Sequence, residues 1–417
     1  MWRLIIALVF LSVPAMGQGK RLWVLRAPGE MAEYDAATFA GKGTVKVPSE
    51  ALNSPANLDV NRAGQMLFAS PVSPPVSEEE AAKTHKVWFW NGHEASSLDQ
   101  GVERKSEERG SNLAITESAP VIALSANGEH LFWFTNRARR LEREEVDLST
   151  TISFQAWQTD LSGGGREEVA SVKVPECRCT SGSCEETCSS GIVWVPDRGV
   201  EKFFLVTQYV AANTAPIYKS TTRYRLEGDK WVETALAVPT QRVLDADENG
   251  EWIVEAVPDT GCCGWSNQSN DQTLAIAEGK SRTLFDEQAT YRNPDYDVSF
   301  STANARLSPG LGYVAMTITA TAQSNKPIQL SQEGQANPEE SQRIRKALGD
   351  LPAVEVKSME DTPRRIALVP HAVLVGWISE KEMLIVENRV LVGYNVDKGT
   401  RRRSTIKVDD ALHVFLR

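Results

Sequence analysis

One phrase returns along the chain: an apolar residue, a polar turn holding glycine, then a short apolar strand. It reads "LDVNRAGQMLFAS", "ALSANGEHLFWF", "WVPDRGVEKFFLV", "VLDADENGEWIVEAV" and "RLSPGLGYVAMTI", with a looser copy in "WISEKEMLIV". Marked at Gly64, Gly128, Gly199, Gly250, Gly312 and Lys381, the turns recur with a mean spacing of about 63 residues. Such self-similarity constrains the fold more than composition does, because a single supersecondary unit cannot bury its apolar face except against its neighbours. Between the phrases lie second hairpins, with turns at "NG" in "VWFWNGHEASSL", "SGGG" in "QTDLSGGGREEV", "EGD" in "RYRLEGDKWVETAL", "EGK" in "LAIAEGKSRTLF" and "DKG" in "VGYNVDKGTRRRSTIKV". Glycine between alternating apolar and aromatic runs is a strong short-range hairpin signal. Each unit is therefore two hairpins, or four antiparallel strands.

Four-stranded units repeated around an axis predict an all-β chain folded as a single β-propeller of six or seven four-stranded blades over residues 18–417. The phrases "LSANGEHLFWF" and "LDVNRAGQMLF" resemble the turn-and-strand phrase of WD40-like, TolB-type propeller repeats found in exported bacterial proteins. That resemblance implies a fold, and function does not travel with it. The N-terminal "EMAEYDAATFAGKGTVKVP" parallels the C-terminal "VLVGYNVDKGTRRRSTIKV", so an N-terminal hairpin is expected to complete a blade begun at the C-terminus. Closure of this kind leaves no exposed sheet edge. Two segments break the pattern: a Pro- and Glu-rich loop at 70–84, and an insertion at 321–361. The insertion predicts a short helix near 337–349, with Asn337 as cap, Pro338 at the first helical position, Glu340 completing a capping box and Gly349 ending it.

The chain opens "MWRLIIALVFLSVPAMGQGK", in which Arg3, the apolar run Leu4 to Val13 and the small residues Ala15 and Gly17 read as a secretory signal peptide over 1–17. No stretch has the roughly 20 apolar residues of a membrane-spanning helix. A secreted or periplasmic, soluble and monomeric protein is expected. In an oxidising compartment the even set of six cysteines reads as disulfide candidates: Cys177, Cys179, Cys184 and Cys188 in one cluster, Cys262 and Cys263 side by side in "TGCCGW". The cluster lacks the C-x2-C knuckles of tetrahedral zinc sites, which favours a stapled loop over a metal site; its pairing stays open. A bond between Cys262 and Cys263 would be a strained vicinal disulfide, and with Trp265 it would offer a flat apolar surface to a ligand. The alternative is two cysteines bonded to distant partners.

Chemistry is sparse. No H-E-x-x-H, G-x-S-x-G, P-loop or G-x-G-x-x-G occurs, and His85, His93, His130, His371 and His413 form no metal-like pair. His130 and His413 sit inside apolar strands as packed or cross-strand residues. "DADENGE" resembles the start of a calcium loop, with Asp245, Asp247 and Asn249 as candidate ligands, but position twelve is Ala256 where the bidentate Glu belongs. An acidic β-turn is the simpler reading. "CCGW" also invites comparison with quinoprotein propellers, whose repeated tryptophan-docking phrase is absent, so no cofactor is expected. The tryptophans read as sheet-packing aromatics. A net charge of -10 excludes nucleic acid as a partner. The expectation is an exported binding or interaction module for a protein or small-molecule ligand, more binder than enzyme. The alternative is an exported hydrolase, lyase or oxidoreductase acting on a carbohydrate or other small molecule in the central channel.

Overall fold

The computed structural model describes residues 19–52, 58–71, 85–98, 112–117, 120–125, 130–142, 148–160, 167–173, 177–179, 189–196, 203–211, 216–228, 230–258, 270–277, 279–286, 296–324 and 351–417, with single positions at Glu339, Gln342 and Gly349. They form a propeller of seven blades built on four-stranded antiparallel sheets, the sheet of blade 3 carrying two further short strands, Asn112–Glu117 and Cys177–Cys179. Blade 1 joins the C-terminal strand Ala411–Leu416 to Arg21–Arg26, Glu30–Asp35 and Gly41–Lys46. Blade 2 runs Leu58–Val60, Met66–Pro71, His85–Trp90, Ala95–Ser97, and blade 3 runs Val121–Leu124, His130–Glu142, Leu148–Asp160, Glu167–Lys173. Blade 4 is Ser189–Trp194, Phe203–Ala211, Pro216–Glu227, Lys230–Ala235, and blade 5 is Arg242–Ala246, Ile253–Pro258, Asn270–Ala277, Lys280–Asp286. Blade 6 is Tyr296–Leu307, Tyr313–Ser324, Ala353–Ser358, Arg365–Pro370, and blade 7 is Ala372–Ser379, Glu382–Glu387, Val390–Asn395, Thr400–Lys407.

The ring closes as the sequence predicts, with Ala411–Leu416 lying against Arg21–Arg26 so that the chain's two ends share one sheet. The count is seven because this shared blade adds one to the six marked turns. Among the described residues no helix is long and apolar enough to cross a membrane. The regular helical turn is Ser49–Leu52, while Glu339 and Gln342 are helical single positions and Gly349 turns with φ of 58°, as a helix end requires. Both loop boundaries shift inward. Ser70 and Pro71 complete a strand of blade 2, and the insertion is narrower than 321–361 because the strands Tyr313–Ser324 and Ala353–Ser358 extend into it.

The repeated phrase has a physical cause. Asn61, Ser125, Asp247 and Ser308 stand at the same point of their turns, and each is buried. Each side chain accepts a backbone N–H from the far side of its turn: Gln65 at 3.0 Å, His130 at 2.9 Å, Trp252 at 2.7 Å and Tyr313 at 3.0 Å. A buried N–H left without an acceptor would cost about 1–3 kcal/mol, so a short polar residue is required there in these four copies. At Gly64 the backbone takes φ of 82°, and a Cβ would come within 2.5 Å of the Trp23 ring of blade 1. Only glycine meets both demands. In blade 6 the left-handed position falls on Leu311, with φ of 58°, rather than on the nearby glycines.

Neighbouring blades are tied by side chains that accept backbone N–H groups from the next innermost strand. Asp59 accepts from Leu124 at 2.8 Å, Asp245 from Leu307 at 2.7 Å, and Thr317 from Leu374 at 2.9 Å. Between these ties lie apolar clusters such as Leu244, Val254, Phe300, Leu307, Met316 and Met359 between blades 5 and 6.

Candidate binding site

Strand direction divides the molecule into two rims. On the lower rim lie the tight turns after each first and third strand, such as those from Asn61, Asp247 and Ser308. Every other connection leaves by the upper rim. There Pro258 faces Asn270 across the start of segment 259–269, which carries "CCGW", and segment 180–188 leads into the innermost strand of blade 4 at Ser189. The described residues that flank these segments, Ser189 in blade 4 and Pro258 and Asn270 in blade 5, lie on this rim. Cys184, Cys188, Cys262, Cys263 and Trp265 themselves lie outside the described residues. Cys177 and Cys179 form a short strand whose backbone pairs with Thr150 and Leu148, on the part of the blade 3 hairpin that extends past its fourth strand.

The junction of blades 4 and 5 departs from those ahead of blades 2, 3 and 6. Register aligns Glu255 with Phe68, Trp133 and Met316, opposite Val243, Leu58, Ile122 and Ala305 respectively. In blades 2, 3 and 6 that position holds a large apolar side chain with 0%, 1% and 0% exposure; in blade 5 it holds a carboxyl group 3% exposed. Around it the apolar core shrinks to Phe203, Leu205, Ala246 and Ile253, and hydroxyl groups take over. Thr207, Thr221 and Thr240 form a buried triangle with oxygens 2.9, 2.9 and 3.0 Å apart, and the Thr240 N–H donates to Thr221 Oγ1 at 2.8 Å. The next N–H, from Gln241, donates to Glu255 Oε2 at 2.7 Å, and among the described residues this is the one hydrogen bond to that carboxylate. Burial pushes the Glu255 carboxyl up to about 6, with the Gln241 N–H opposing it. Burial also raises the Tyr218 hydroxyl, helped by Tyr209 and Glu255, and the Tyr209 and Tyr218 rings lie 5.9 Å apart.

On the axis is a cavity of about 590 Å³, lined by first strands of blades 1, 2, 3, 6 and 7 and by Val195 and Pro196 beside blade 4, which marks those strands as innermost. Its polar side chains are held from below: Lys20 donates to Trp377 O at 2.7 Å, Arg306 to Leu244 O at 3.0 Å, and Arg417 pairs with Asp59. Higher on the innermost strands, Val121, Ile192, Val373 and Leu412 are exposed at 36%, 45%, 40% and 38%. Apolar side chains facing water on a rigid wall are ready contact surface.

The remaining sequence candidates have structural employment. Asp247 accepts from Asn249, Glu251 and Trp252, making the acidic turn, and Asp245 ties blade 5 to blade 6. Among the described residues no group of three or more His, Cys, Asp and Glu side chains gathers as a metal site. His130 packs on Phe132 and His413 stacks on Phe415, each two residues along its own strand, as packed residues do. Trp23, Trp90, Trp133 and Trp377 are buried packing groups.

With this geometry in view, the chain's likenesses are of fold. The Pyrococcus horikoshii acylaminoacyl peptidase matches at 14% identity over 91% of this chain and 48% of that one, with a TM-score of 0.43, so the chain spans about half its length. AztD from Citrobacter koseri matches at 9% identity over 96% and 98% of the two chains, with a TM-score of 0.39. The WD40 domain of SCAP from fission yeast matches at 9% identity over 94% and 87%, with a TM-score of 0.29. No family model matches the sequence, and no curated protein does. What the chain has in common with the solved structures is the propeller architecture alone.

Sequence reasoning did not find Glu255. In "EWIVEAVP" it reads as one polar residue in an alternating strand. Aligning the second strands of the repeats, so that "IVE" stands under "MLF", "LFW" and "VAM", is the signal that exposes it.

Proposed function

We propose that the chain is an exported β-propeller that serves as a binding module, engaging a small molecule or a protein segment from the upper rim and the mouth of the central channel. The observation that carries this reading is the set Val121, Ile192, Val373 and Leu412, apolar side chains left exposed on innermost strands of four blades. Val45, Val232, Ile366 and Leu368 are also exposed, but on outermost strands, whereas Val121, Ile192, Val373 and Leu412 stand on innermost strands around the channel, where apolar surface in water carries a cost that contact with a ligand removes. The blades supply rigidity, and disulfides among the six cysteines would limit the entropy lost when upper-rim connections order around a ligand.

Photocrosslinking residues placed one at a time at Val238, Val373 and Leu412 on the upper side, and at His93, Glu251 and Lys398 on the lower rim, test this in the exporting host. Adducts confined to the upper positions are the expected result. An equal or reversed distribution overturns the reading.

A further inference from the structure

Glu255 has no role in that binding reading, yet it is the residue least at home in the ring. It occupies a position that three other blades fill with Phe68, Trp133 and Met316, and it is 3% exposed. Its hydrogen-bond donor, Gln241, belongs to the connection 236–241, which crosses the upper edge of blade 4 to start the innermost strand of blade 5. That connection starts with Leu236 packed on the apolar core and its N–H on Thr221 O, and its far end is held by hydrogen bonds, through Thr240 to Thr221 and Thr207 and through Gln241 to Glu255.

We propose that the junction of blades 4 and 5 is a proton-operated latch, in which neutral Glu255 keeps connection 236–241 seated over the junction and ionised Glu255 releases it to water. A buried carboxylate with one N–H donor is poorly solvated, whereas the neutral acid fits the site and still accepts from Gln241. The groups that face Glu255 do not compensate it. Tyr218 approaches from the third strand of blade 4 with its hydroxyl raised by burial, and Tyr209, from the second strand, lies against it with the rings 5.9 Å apart. The third strand of blade 5 sets Leu274 opposite, connection 236–241 carries no ionisable side chain, and the innermost strand of blade 5 contributes the exposed Arg242. With the carboxyl at about 6 when seated and at its ordinary 4.5 when released, seating takes up a proton. The seated form is therefore favoured at acid pH and loses ground as pH rises through 6. Between pH 5 and pH 8 the ratio of seated to released forms falls about eightfold.

Hydrogen exchange of the full chain, read at the amides of Thr240 and Gln241 and corrected for intrinsic rates, tests the latch. The wild-type protein should lose about eightfold in protection of these amides from pH 5 to pH 8, and E255Q, which cannot ionise, should lose none. The amide of Leu307, bound to Asp245 at the next junction, should hold its protection in both proteins. Were E255Q not to fold, E255M, carrying the residue of blade 6, is read the same way. The proposal falls if wild-type protection does not change with pH, if the variant keeps the same fall, or if Leu307 falls in parallel.

Discussion

Blade 5 meets its two neighbours with opposite chemistry. Toward blade 6, Met316 is fully buried among Leu244, Val254, Leu307 and Met359, and the polar groups at that junction are paired: Asp245 Oδ2 accepts from the Leu307 N–H at 2.7 Å, and the buried Thr273 and Thr302 hydroxyls lie 2.6 Å apart. Toward blade 4, the equivalent of Met316 is Glu255, and a triangle of threonine hydroxyls stands where apolar groups pack elsewhere. The second strand sets both side chains at the same distance past its turn, although the first strand of blade 5 bulges between Val243 and Asp245 and that of blade 6 only between Thr302 and Asn304. A propeller blade therefore dictates where a side chain points, and leaves open whether that position stabilises the ring or responds to its surroundings.

The largest break in the comparison is to move the carboxyl. M316E places an acid among apolar side chains with no hydroxyl triangle beside it, and should cost about 4 kcal/mol at pH 8, read as a lowered urea midpoint. A cost near that of M316A would mean that the blade 5 and 6 junction admits water, and that the contrast is illusory. The reverse exchange, E255M, should stabilise the protein by about 2 kcal/mol at pH 8 and leave it unchanged near pH 4. The sign follows from the raised carboxyl, about 6 in the fold against 4.5 ordinarily. The native state holds the extra proton between those values, so wild-type stability falls as pH rises through them, and the variant removes that fall. D245A removes the acceptor for Leu307 and should cost about 2 kcal/mol, read as a lowered urea midpoint, since it unpairs a buried N–H.

How much of this the sequence discloses depends on the range of the interactions. The turn caps Asn61, Ser125, Asp247 and Ser308 act within five residues of their partners, so their signature is local and the repeat is visible as text. The hairpin glycines Gly92, Gly228, Gly279 and Gly399 have φ of 105°, 63°, 74° and 65°, again local demands. Ring closure could be read from the matched terminal segments, while the choice of seven blades over six needed the pairing of Leu22 with Leu416. Glu255 and the threonine triangle are joined across blades, Thr207 to Thr240 being 33 residues apart, and no local pattern marks them. Asp245 misleads for the same reason: it resembles a calcium ligand by local spacing, and its partner Leu307 is 62 residues away.

The smallest effect tests whether the polar junction acts as a unit. T240V keeps the shape of the side chain and the N–H that donates to Thr221, and it removes the hydroxyl that touches both Thr207 and Thr221. Taken alone this should cost about 1 kcal/mol. Because Gln241, the donor to Glu255, follows directly, a triangle that positions that donor makes the loss depend on whether Glu255 is ionised. The expected result is a larger loss at pH 8 than at pH 5, and a double-mutant cycle with E255M in which the two changes are not additive at pH 8. Equal losses at both pH values with additive energies would separate the triangle from the carboxyl. The hydroxyls would then be a packing solution for blade 4 alone, and the response to protons would rest on Glu255 and a single backbone N–H.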